Sequence, residues 1–462
     1  QIARATGNGQ TPNDLLDQRD QIIREINQYV QTTQIPADDG TVGLFVGGSQ
    51  PLVLGTTATT VSIADSSTFP ASGQLKLLFN RPGSPSIELD ENTLGGGSVT
   101  GLLKFNNTDL AEGRNLLGRM AMAIGMELNK QQTQGLTLDG QLGKDLFALP
   151  TSMPGTTNGT AVGNVTFTDS TKFAASDYEI RFTTPPAGQV VRLSDGKSTA
   201  FTNAANLASQ QIDGLTFNLT ATGAAGERML FKPFSTAAAN MQALVYSPRD
   251  LAAANPMNAA MGTSNAGTLQ LASLTAKDGF VAPPIPAGVQ LTFSAGPPTT
   301  YSVTGSTTPP SGTTGLAYTA GTPIVIDGWE ITLKGTPKTG DTVKVGNALD
   351  PQYGDNYTRN AGNATALMNL RDVKMFDEST MSDGYASAMA QVGTRTQSAL
   401  FASELSTTIA KNLENDRTSV SGVNLDEEAA KLLQYQQAYQ ASAKMLQIAQ
   451  SVFDTLIQNL GR

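Results

Sequence analysis

The stretch from residue 421 to the C-terminus has an apolar residue at every seventh position. The six positions that share this spacing are Leu425, Leu432, Tyr439, Leu446, Phe453 and Leu460. Apolar or small residues also fill the intermediate steps of three or four, so the pattern is a heptad seam and predicts a coiled-coil helix. No proline interrupts it and no glycine lies between Asn424 and Gly461, which allows one helix of about 36 residues, roughly 54 Å long at ~1.5 Å per residue. A helix of this length usually needs a partner.

The residues beside the seam indicate where the helix begins and what kind of partner it has. Asn424 is placed to cap the helix, and Glu427 completes a capping box. Beyond the first turn the flanking positions are mostly glutamine, and only Lys431, Lys444 and Asp454 are charged. Uncharged amides can be hydrogen-bonded in a crowded helical array without like-charge repulsion. We therefore expect a bundle of several subunits, the alternative being an ordinary core helix. We also expect a fold-back of the chain, or another copy of it, to cover the seam.

Composition excludes several classes of function. Charged residues make up 15% of the 462, the net charge is −9, and no cluster of Lys and Arg could follow a phosphate backbone. Cysteine and histidine are absent, which removes disulfides, thiolate and imidazole metal ligands, and mechanisms with a histidine base. No apolar run approaches the ~18 residues of a membrane span, and the N-terminus does not read as a secretory signal. We expect no catalytic residue, metal, cofactor, nucleic-acid partner or membrane insertion.

Helical patterns occupy both ends of the chain. Apolar residues at helical spacing predict helices near residues 15–30, 109–134 and 382–414, with a shorter one after residue 363. The apolar stripes of these helices can be buried only if the two ends come together as a stalk. The residues expected to pack inside this stalk are Leu15, Ile22, Leu117, Ile124, Met389 and Leu405.

The middle of the chain, between residues 150 and 361, is rich in Thr, Gly, Pro and Ala and shows the short alternating runs of β-strands. It contains an internal repeat, in which IDGLTFNL at 212–219 corresponds to IDGWEITL at 326–333. Further matched positions are Gly226-Glu with Gly340-Asp, Met229 with Val343, Phe231 with Val345, and Ile180-Arg-Phe with Leu291-Thr-Phe. The repeat predicts two tandem copies of one β unit, folded as separate knob-like domains.

The predicted fold is α+β and multidomain. A helical stalk is formed by both chain ends, antiparallel β modules are inserted in the middle, and a long coiled-coil helix ends the chain. The expected domains are a helical stalk with a small β part at 1–150 and 355–420, a first β domain at 151–265, a second at 266–354 and the C-terminal helix at 421–462.

Two motifs could suggest an enzyme. DGKST at 195–199 has the tail of a phosphate-binding loop but lacks its first glycine, so a turn between strands is the better interpretation. The acidic pairs Asp38-Asp39 and Asp90-Glu91 could be a hydrolase's carboxylates, but nothing in the sequence brings them together, and solvated turns are favoured.

Several segments resemble the flagellar axial proteins, and most closely the hook-associated protein 1 family. The C-terminal segments that carry the resemblance are SGVNLDEE at 421–428, YQQAYQASAK at 435–444 and FDTL at 453–456. The N-terminal ones are NDLLDQRDQ at 13–21, GGSVTGLL at 96–103, RNLLGR at 114–119 and LNKQQTQG at 128–135. The resemblance is strong over 1–150 and 360–462 and weak between them. Family members usually carry a histidine where this chain has Gln132, and their N-terminal helix is missing here, which implies a fragment.

The resemblance implies a tubular stalk with an inner coiled-coil layer, a middle helical domain and outer β domains. It implies a structural, non-enzymatic subunit that joins hook to filament, with hook protein, the second junction protein and further copies in a ring as neighbours. An extracellular location, export through the flagellar type III channel without a cleaved signal, and a chaperone that binds the C-terminal helix are also implied, with the seam from Leu425 to Leu460 as the assembly and chaperone face. The alternatives are a hook or rod subunit and, less favoured, a carbohydrate-binding or hydrolytic β module on a flagellar stalk.

Overall fold

The computed structural model of the protein describes residues 1–7, 12–38, 41–81, 83–376, 378–421 and 425–460. It divides into two compact units, Gln1–Ala388 and Met389–Arg462. In chain order the helices are α1 (Ile2–Gly7), α2 (Asn13–Tyr29), α3 (Ser98–Lys104), α4 (Leu110–Thr133), α5 (Ala204–Ser209), α6 (Ala237–Asn240), α7 (Gly362–Asn369), α8 (Met381–Ser421) and α9 (Leu425–Leu460). The helices predicted at both ends of the chain are confirmed.

The N-terminal part contains two small antiparallel sheets. Their strands are β1 (Thr32–Pro36), β2 (Val42–Val46), β3 (Gln50–Leu54), β4 (Thr57–Ala58), β5 (Thr60–Asp65), β6 (Leu75–Asn80) and β7 (Ile87–Leu89). The sheets have the strand orders β1-β2-β3-β4 and β5-β6-β7. Alternation along β2 and β6 buries Val46, Leu77 and Phe79, which pack with Leu94 and Leu103 into one core. This is the small β part predicted within the stalk domain.

The long helix of the stalk buries a face that is partly polar. A π-helical turn, Phe105–Asp109, connects α3 to α4. On α4 the buried apolar residues include Leu116, Met120 and Ala123, and the buried polar ones include Asn115 and Arg119. The Arg119 guanidinium lies 5.1 Å from the centre of the Phe376 ring. The buried face of α4 is therefore shifted by one residue from the predicted stripe through Leu117 and Ile124.

The first β module consists of two packed sheets and shares its core with the stalk. Its strands are β8 (Phe147–Ala148), β9 (Ser152–Pro154), β10 (Val162–Phe167), β11 (Tyr178–Thr184), β12 (Ala187–Arg192), β13 (Ser198–Phe201), β14 (Leu215–Ala221), β15 (Arg228–Phe231) and β16 (Gln242–Ala243). The main sheets have the orders β9-β10-β14 and β13-β12-β11-β15. One hydrophobic core joins Phe217 and Phe231 of this module to Met120 of α4 and to Phe376 and Ala388. The prediction of a separate knob is wrong here, because α4 closes the core.

The second β module has its own core. Its strands are β17 (Met257–Met261), β18 (Gln270–Ala276), β19 (Val289–Ser294), β20 (Thr300–Thr304), β21 (Leu316–Ala317), β22 (Pro323–Ile326), β23 (Trp329–Lys334) and β24 (Thr342–Asn347). The sheets have the orders β17-β24-β19-β20-β21 and β18-β23-β22. The core contains Leu291, Trp329 and Val343, all fully buried. Since β17 pairs with β24, the predicted boundary between residues 265 and 266 is wrong, and the second module begins before Met257.

The internal repeat is confirmed by strand pairing. In both modules a central hairpin, β11-β12 or β19-β20, pairs with the strand after the repeated segment, β15 or β24. Ile180 lies opposite Met229 in the first module, and Leu291 lies opposite Val343 in the second. The matched Asp-Gly turns also agree, since Asp213 and Asp327 both have positive φ, 51° and 46°. The two modules are therefore variants of one fold.

The matched acidic residues of the repeat hold loops in both modules. The Asp341 carboxylate accepts hydrogen bonds from the backbone amides of Ala266 (2.7 Å), Gly267 (3.0 Å) and Lys338 (2.8 Å). In the first module, the Glu227 carboxylate accepts from the amides of Ala161 (2.6 Å) and Ala224 (2.9 Å). Glu227 thus ties the loop before β10 to the turn before β15, and Asp341 ties the loop before β18 to the turn before β24.

Candidate assembly surface

The C-terminal helix α9 exposes its heptad seam along its length. Leu432, Tyr439, Leu446 and Phe453 are 69%, 77%, 68% and 64% exposed. The side chains of Leu425 and Leu460, and the predicted cap Asn424, lie outside the described part of the chain. A row of large apolar side chains with this exposure is a surface that favours contact with another helix.

The apolar face of α9 is wide in the C-terminal half of the helix. In its second half, exposed apolar residues flank the seam on one side, and these are Met445, Ile448, Val452, Leu456 and Ile457. At ~100° per residue, these and the seam together cover about half of the helix circumference. Such a face can contact more than one neighbouring helix.

Charged contacts contribute little to this surface. Lys431 forms exposed ion pairs with Glu427 (3.3 Å) and Glu428 (3.0 Å) in the first turns of α9. Exposed pairs at this spacing stabilise a helix by only ~0.3–0.5 kcal/mol. The chemistry available to the helix surface is therefore apolar burial and hydrogen bonding by glutamine amides.

The prediction that a fold-back of the chain covers the seam is wrong. From residue 389 onward every side chain that the structure describes is exposed. Within the described residues, α8 beyond residue 389 and α9 both keep their large apolar side chains in solvent. Cover by another copy of the chain stays a prediction.

Only some of the six side chains predicted to pack within the stalk are buried. Leu15 and Ile124 are partly buried, and Ile124 packs against the core shared by α4 and the first module. Ile22, Leu117, Met389 and Leu405 are exposed, at 56%, 50%, 41% and 50%, so the burial predicted for these four is wrong. On α4 the core instead takes the neighbouring positions Leu116 and Met120.

Helix α8 carries a second apolar surface, although its apolar periodicity predicts burial in the stalk interior. Its first two turns belong to the core through Gly384, which lies against the Phe376 ring, and Ala388. Further along, large side chains four residues apart are all exposed, namely Phe401, Leu405, Ile409 and Leu413. The signal for this stripe was present in the sequence, but the periodicity does not distinguish burial within a chain from burial between chains.

Carboxylates in the first module form ion pairs in place of a catalytic pair. A cleft of about 410 Å³ is lined by Arg192, Lys197 and Asp213, among others. Arg192 donates to Asp213 (3.0 Å) and to Asp195, and Tyr178 donates to Asp213 (2.9 Å). The hydrogen bond from Arg192 holds the pKa of Asp195 well below its usual range. A general acid of a glycosidase needs a raised pKa, and Asp195 has a lowered one. The hydrogen bonds from Arg192 and Tyr178 instead hold the turn at Asp213.

A second cavity contains a buried acid. It measures about 220 Å³ and lies between the small β part, α4 and the first module. Asp177 faces it and accepts a hydrogen bond from Asn115 (2.9 Å), with the Lys232 ammonium 4.0 Å away. Burial raises the pKa of Asp177, and the Lys232 charge and the Asn115 amide offset this only in part.

The other motifs are turns and ion pairs. Residues 195–197 lie in the connection between the antiparallel strands β12 and β13, and Ser198 and Thr199 begin β13, which confirms the prediction of a turn between strands. Lys76 lies 3.2 Å from both Asp90 and Glu91, and Asp39 of the other acidic pair is outside the described residues. Over the described ranges we find no cluster of three potential metal ligands. None of the helices present in the structure is long and apolar enough to cross a membrane.

Models of flagellar protein families match three parts of the chain. Residues 1–147 match the flagellar hook-associated protein FlgK helical domain. Residues 153–233 match the D2-like domain of flagellar hook-associated protein 1. Residues 416–459 match the C-terminal domain of the flagellar basal body rod FlgEFG proteins. The matches thus cover the N-terminal part of the stalk, most of the first β module and nearly all of α9.

Individual relatives agree with these family models. Over 99% of its length the chain is 29% identical to flagellar hook-associated protein 1 of Salmonella typhimurium, covering 67% of that protein, and 28% identical to that of Escherichia coli, covering 66%. The chain spans about two thirds of the length of these relatives. Its fold also matches the solved flagellar hook junction protein FlgK from Burkholderia pseudomallei, with a TM-score of 0.75, 24% identity, and coverage of 91% of this chain and 80% of that one. Over almost its whole length the chain is therefore similar to flagellar hook-associated protein 1 of the bacterial flagellum.

Proposed function

We propose that the chain is a subunit that joins the flagellar hook to the filament, and that it acts by helical self-assembly with neighbouring axial proteins. The observation that carries the proposal is the exposed seam of α9, at Leu432, Tyr439, Leu446 and Phe453. A soluble chain rarely keeps such a row of large apolar side chains in water unless another molecule covers it.

The energetics favour a polymer over an isolated pair. Full burial of each seam side chain is worth about 1.5–3 kcal/mol, so the four together give roughly 6–12 kcal/mol. Association of two molecules costs about 4–15 kcal/mol in lost freedom. One seam contact is therefore weak by itself. A subunit that contacts several neighbours loses that freedom once and gains several contacts, which fits the wide apolar face in the second half of α9.

The partners follow from the same surface. We propose hook protein and the second hook-filament junction protein as the neighbours along the axis, and further copies of this chain in a ring. Before assembly the exposed seam is a hazard, because it can associate prematurely. An export chaperone that binds α9 removes this hazard, and export through the flagellar type III channel delivers the chain to the extracellular junction.

A hook or rod subunit is the second candidate function. It is favoured by the match of residues 416–459 to the rod proteins. Against it stands the match of residues 1–147 to the helical domain of hook-associated proteins. The C-terminal segment is what axial proteins have in common, so the N-terminal match is the more specific of the two.

The assembly face can be tested by placing charge on it. The double variant Leu432→Asp with Leu446→Asp should keep both β modules folded but should no longer enter the junction, because buried carboxylates in a helical bundle are costly. The matched control is Gln437→Asp with Gln447→Asp, which adds the same charge away from the seam. Incorporation is measured in flagellated cells that lack their own junction protein. Junctions built by the seam variant would refute the assignment of the face.

A further inference from the structure

Three segments of the chain meet at the C-terminal end of α4. They are residues 131–136, the linker 250–255 between the two β modules, and the start of α7. Leu136 and Ala254 exchange two backbone hydrogen bonds, of 2.8 and 3.1 Å, and the amide of Ala364 donates to Ala253 (2.9 Å). Leu136 and Ala254 are almost fully buried. We call this meeting point the joint.

Gln132 connects α4 to the linker in the joint. Its side chain is fully buried. The amide nitrogen donates to the carbonyl of Asp250 (2.9 Å), and the amide oxygen accepts from the backbone N–H of Ala252 (3.3 Å). The Gln132 side chain thus satisfies one backbone donor and one backbone acceptor of the linker. Leaving either group without a hydrogen bond in the interior would cost free energy.

Asn363 connects α7 to the same linker. Its amide nitrogen donates to the carbonyls of Ala252 (2.6 Å) and Gln131 (3.1 Å), and its oxygen accepts from the side chain of Gln131 (2.7 Å). All three of these hydrogen bonds connect the buried Asn363 amide to the linker or to the end of α4. The side chain therefore fixes the linker and the end of α4 relative to α7.

Two glycines let the segments come this close. A Cβ atom on Gly135 would lie 2.5 Å from the Ala252 carbonyl oxygen and would overlap the Asn363 side chain. A Cβ on Gly143 would overlap the carbonyl of Gln132. Neither site can hold a larger residue without moving the linker.

We propose that Gln132 and Asn363 are positioning residues that hold the second β module in a fixed orientation on the stalk. The linker that they grip runs directly into β17, the first strand of that module. The returning chain is held at the same place, since the amide of Ala348 donates to Pro256 (2.9 Å) and that of Asn255 donates to the Asn360 side chain (3.2 Å). Entry to and exit from the module thus pass through one joint.

The joint is held by neutral groups. The charged residues on or next to its segments, Lys130, Asp139, Arg249, Asp250 and Arg359, are exposed. The buried Asp350 of the returning chain accepts hydrogen bonds from Gln352. By contrast, charged side chains link the first module to the small β part, since Lys232 donates to the carbonyl of Ser72 (3.0 Å) and the Arg228 guanidinium lies 5.4 Å from the Phe69 ring centre. The orientation of the second module should therefore not respond to moderate changes of pH or salt.

The absence of cysteine from the chain allows a direct test in the full protein. Spin labels are placed at Arg114→Cys on α4 and Gln290→Cys on β19, both exposed in the native chain, and their distance distribution is measured by electron paramagnetic resonance. We expect one narrow distribution in the labelled parent and a clearly broadened one in Asn363→Ala. Asn356→Ala, an exposed amide near the joint, is the control and should keep the narrow distribution.

Gln132→His gives a second test within one variant. At about pH 8 a neutral imidazole has one donor and one acceptor, as the Gln132 amide has. At about pH 5 it is protonated and cannot accept from Ala252. The distribution should be narrow at the higher pH and should broaden reversibly at the lower one, while the parent shows no change.

Fluorescence of Trp329, the only tryptophan, separates positioning from folding because this side chain is fully buried in the second module. The proposal requires its emission to stay that of a buried indole while the distances broaden. Narrow distances in Asn363→Ala, or an unfolded second module in every joint variant, would overturn it. The joint lies within one chain, so this test stands whether or not the assembly proposal is correct.

Discussion

The two β modules should lose stability independently, because their cores are separate. Leu291 is fully buried in the second module, opposite Val343 and Val303. Truncation of such a leucine to alanine costs about 2–5 kcal/mol. With a urea dependence of about 1–3 kcal/mol per M for a domain of this size, the unfolding midpoint of the module should fall by roughly 1–2 M.

The assay uses the position of Trp329. Because this tryptophan lies in the same core as Leu291, its emission follows the second module alone. Leu291→Ala should shift the fluorescence transition to lower urea. Ile180→Ala, at the matched position of the first module, should leave that transition in place. It should instead reduce hydrogen-exchange protection in Tyr178–Thr184, because Ile180 is fully buried in the core shared with α4.

Coincident shifts would refute this account. If Ile180→Ala moved the Trp329 transition as far as Leu291→Ala does, the two modules would unfold as one cooperative unit. The separation of their hydrophobic cores would then have no energetic meaning, and the joint would transmit stability as well as orientation.

Three further predictions concern the stalk and the first module. Gly118→Ala should destabilise the protein by about 1–3 kcal/mol, because the new Cβ would overlap the backbone carbonyl of Phe234. Gly113→Ala on the same helix has open space around it and should stabilise the protein by up to about 1 kcal/mol. Thermal unfolding measures both changes. Asp177→Asn should raise the free energy of unfolding at neutral pH. The gain should vanish toward acid. Because burial raises the pKa of Asp177, its protonated form stabilises the native state below the pKa of the unfolded chain, and this stabilisation is lost as pH rises through the native pKa. Glu227→Gln should destabilise the protein at neutral pH, and the difference in unfolding free energy from the parent should shrink as pH falls. The reason is that backbone amides hold the pKa of Glu227 below its usual value despite its partial burial. Urea unfolding measured against pH checks the sign of both the Asp177→Asn and the Glu227→Gln effects.

Local signals made most of the fold predictable. The heptad spacing predicted α9. The repeat at Ile212 and Ile326 predicted two related modules, because the Asp-Gly turn and the buried alternation that follow are set by residues close in sequence. The composition also pointed away from catalysis, since neither cysteine nor histidine is available.

Nonlocal contacts set the limits of prediction. Helix α4 is apolar on more than one side, so the stripe through Leu117 looked as suitable for burial as the one through Leu116, and only packing against the first module decides between them. Strand β17 has few β-branched residues and is defined by pairing with β24, far along the chain. The sequence therefore did not reveal where the second module begins.

The candidate sites were predicted unevenly for the same reason. The seam of α9 was visible because its residues are evenly spaced along one helix. The joint was not, because Gln132 and Asn363 are isolated polar residues that both bond Ala252 only after the stalk, the linker and α7 have come together. The resemblance marked Gln132 only as a departure from a histidine, and the structure shows that the side chain bonds the linker.

Solvent access to the seam tests the central claim most directly. Tyr439→Cys gives the chain a single thiol on the seam, at a position that is 77% exposed, and Gln290→Cys gives a control thiol on the second module. We predict that maleimide modifies both thiols rapidly in the free chain, and that in assembled hook-filament junctions only the Tyr439→Cys thiol becomes protected. An equally rapid reaction at Tyr439→Cys in the assembled junction would contradict the claim that α9 is the assembly face.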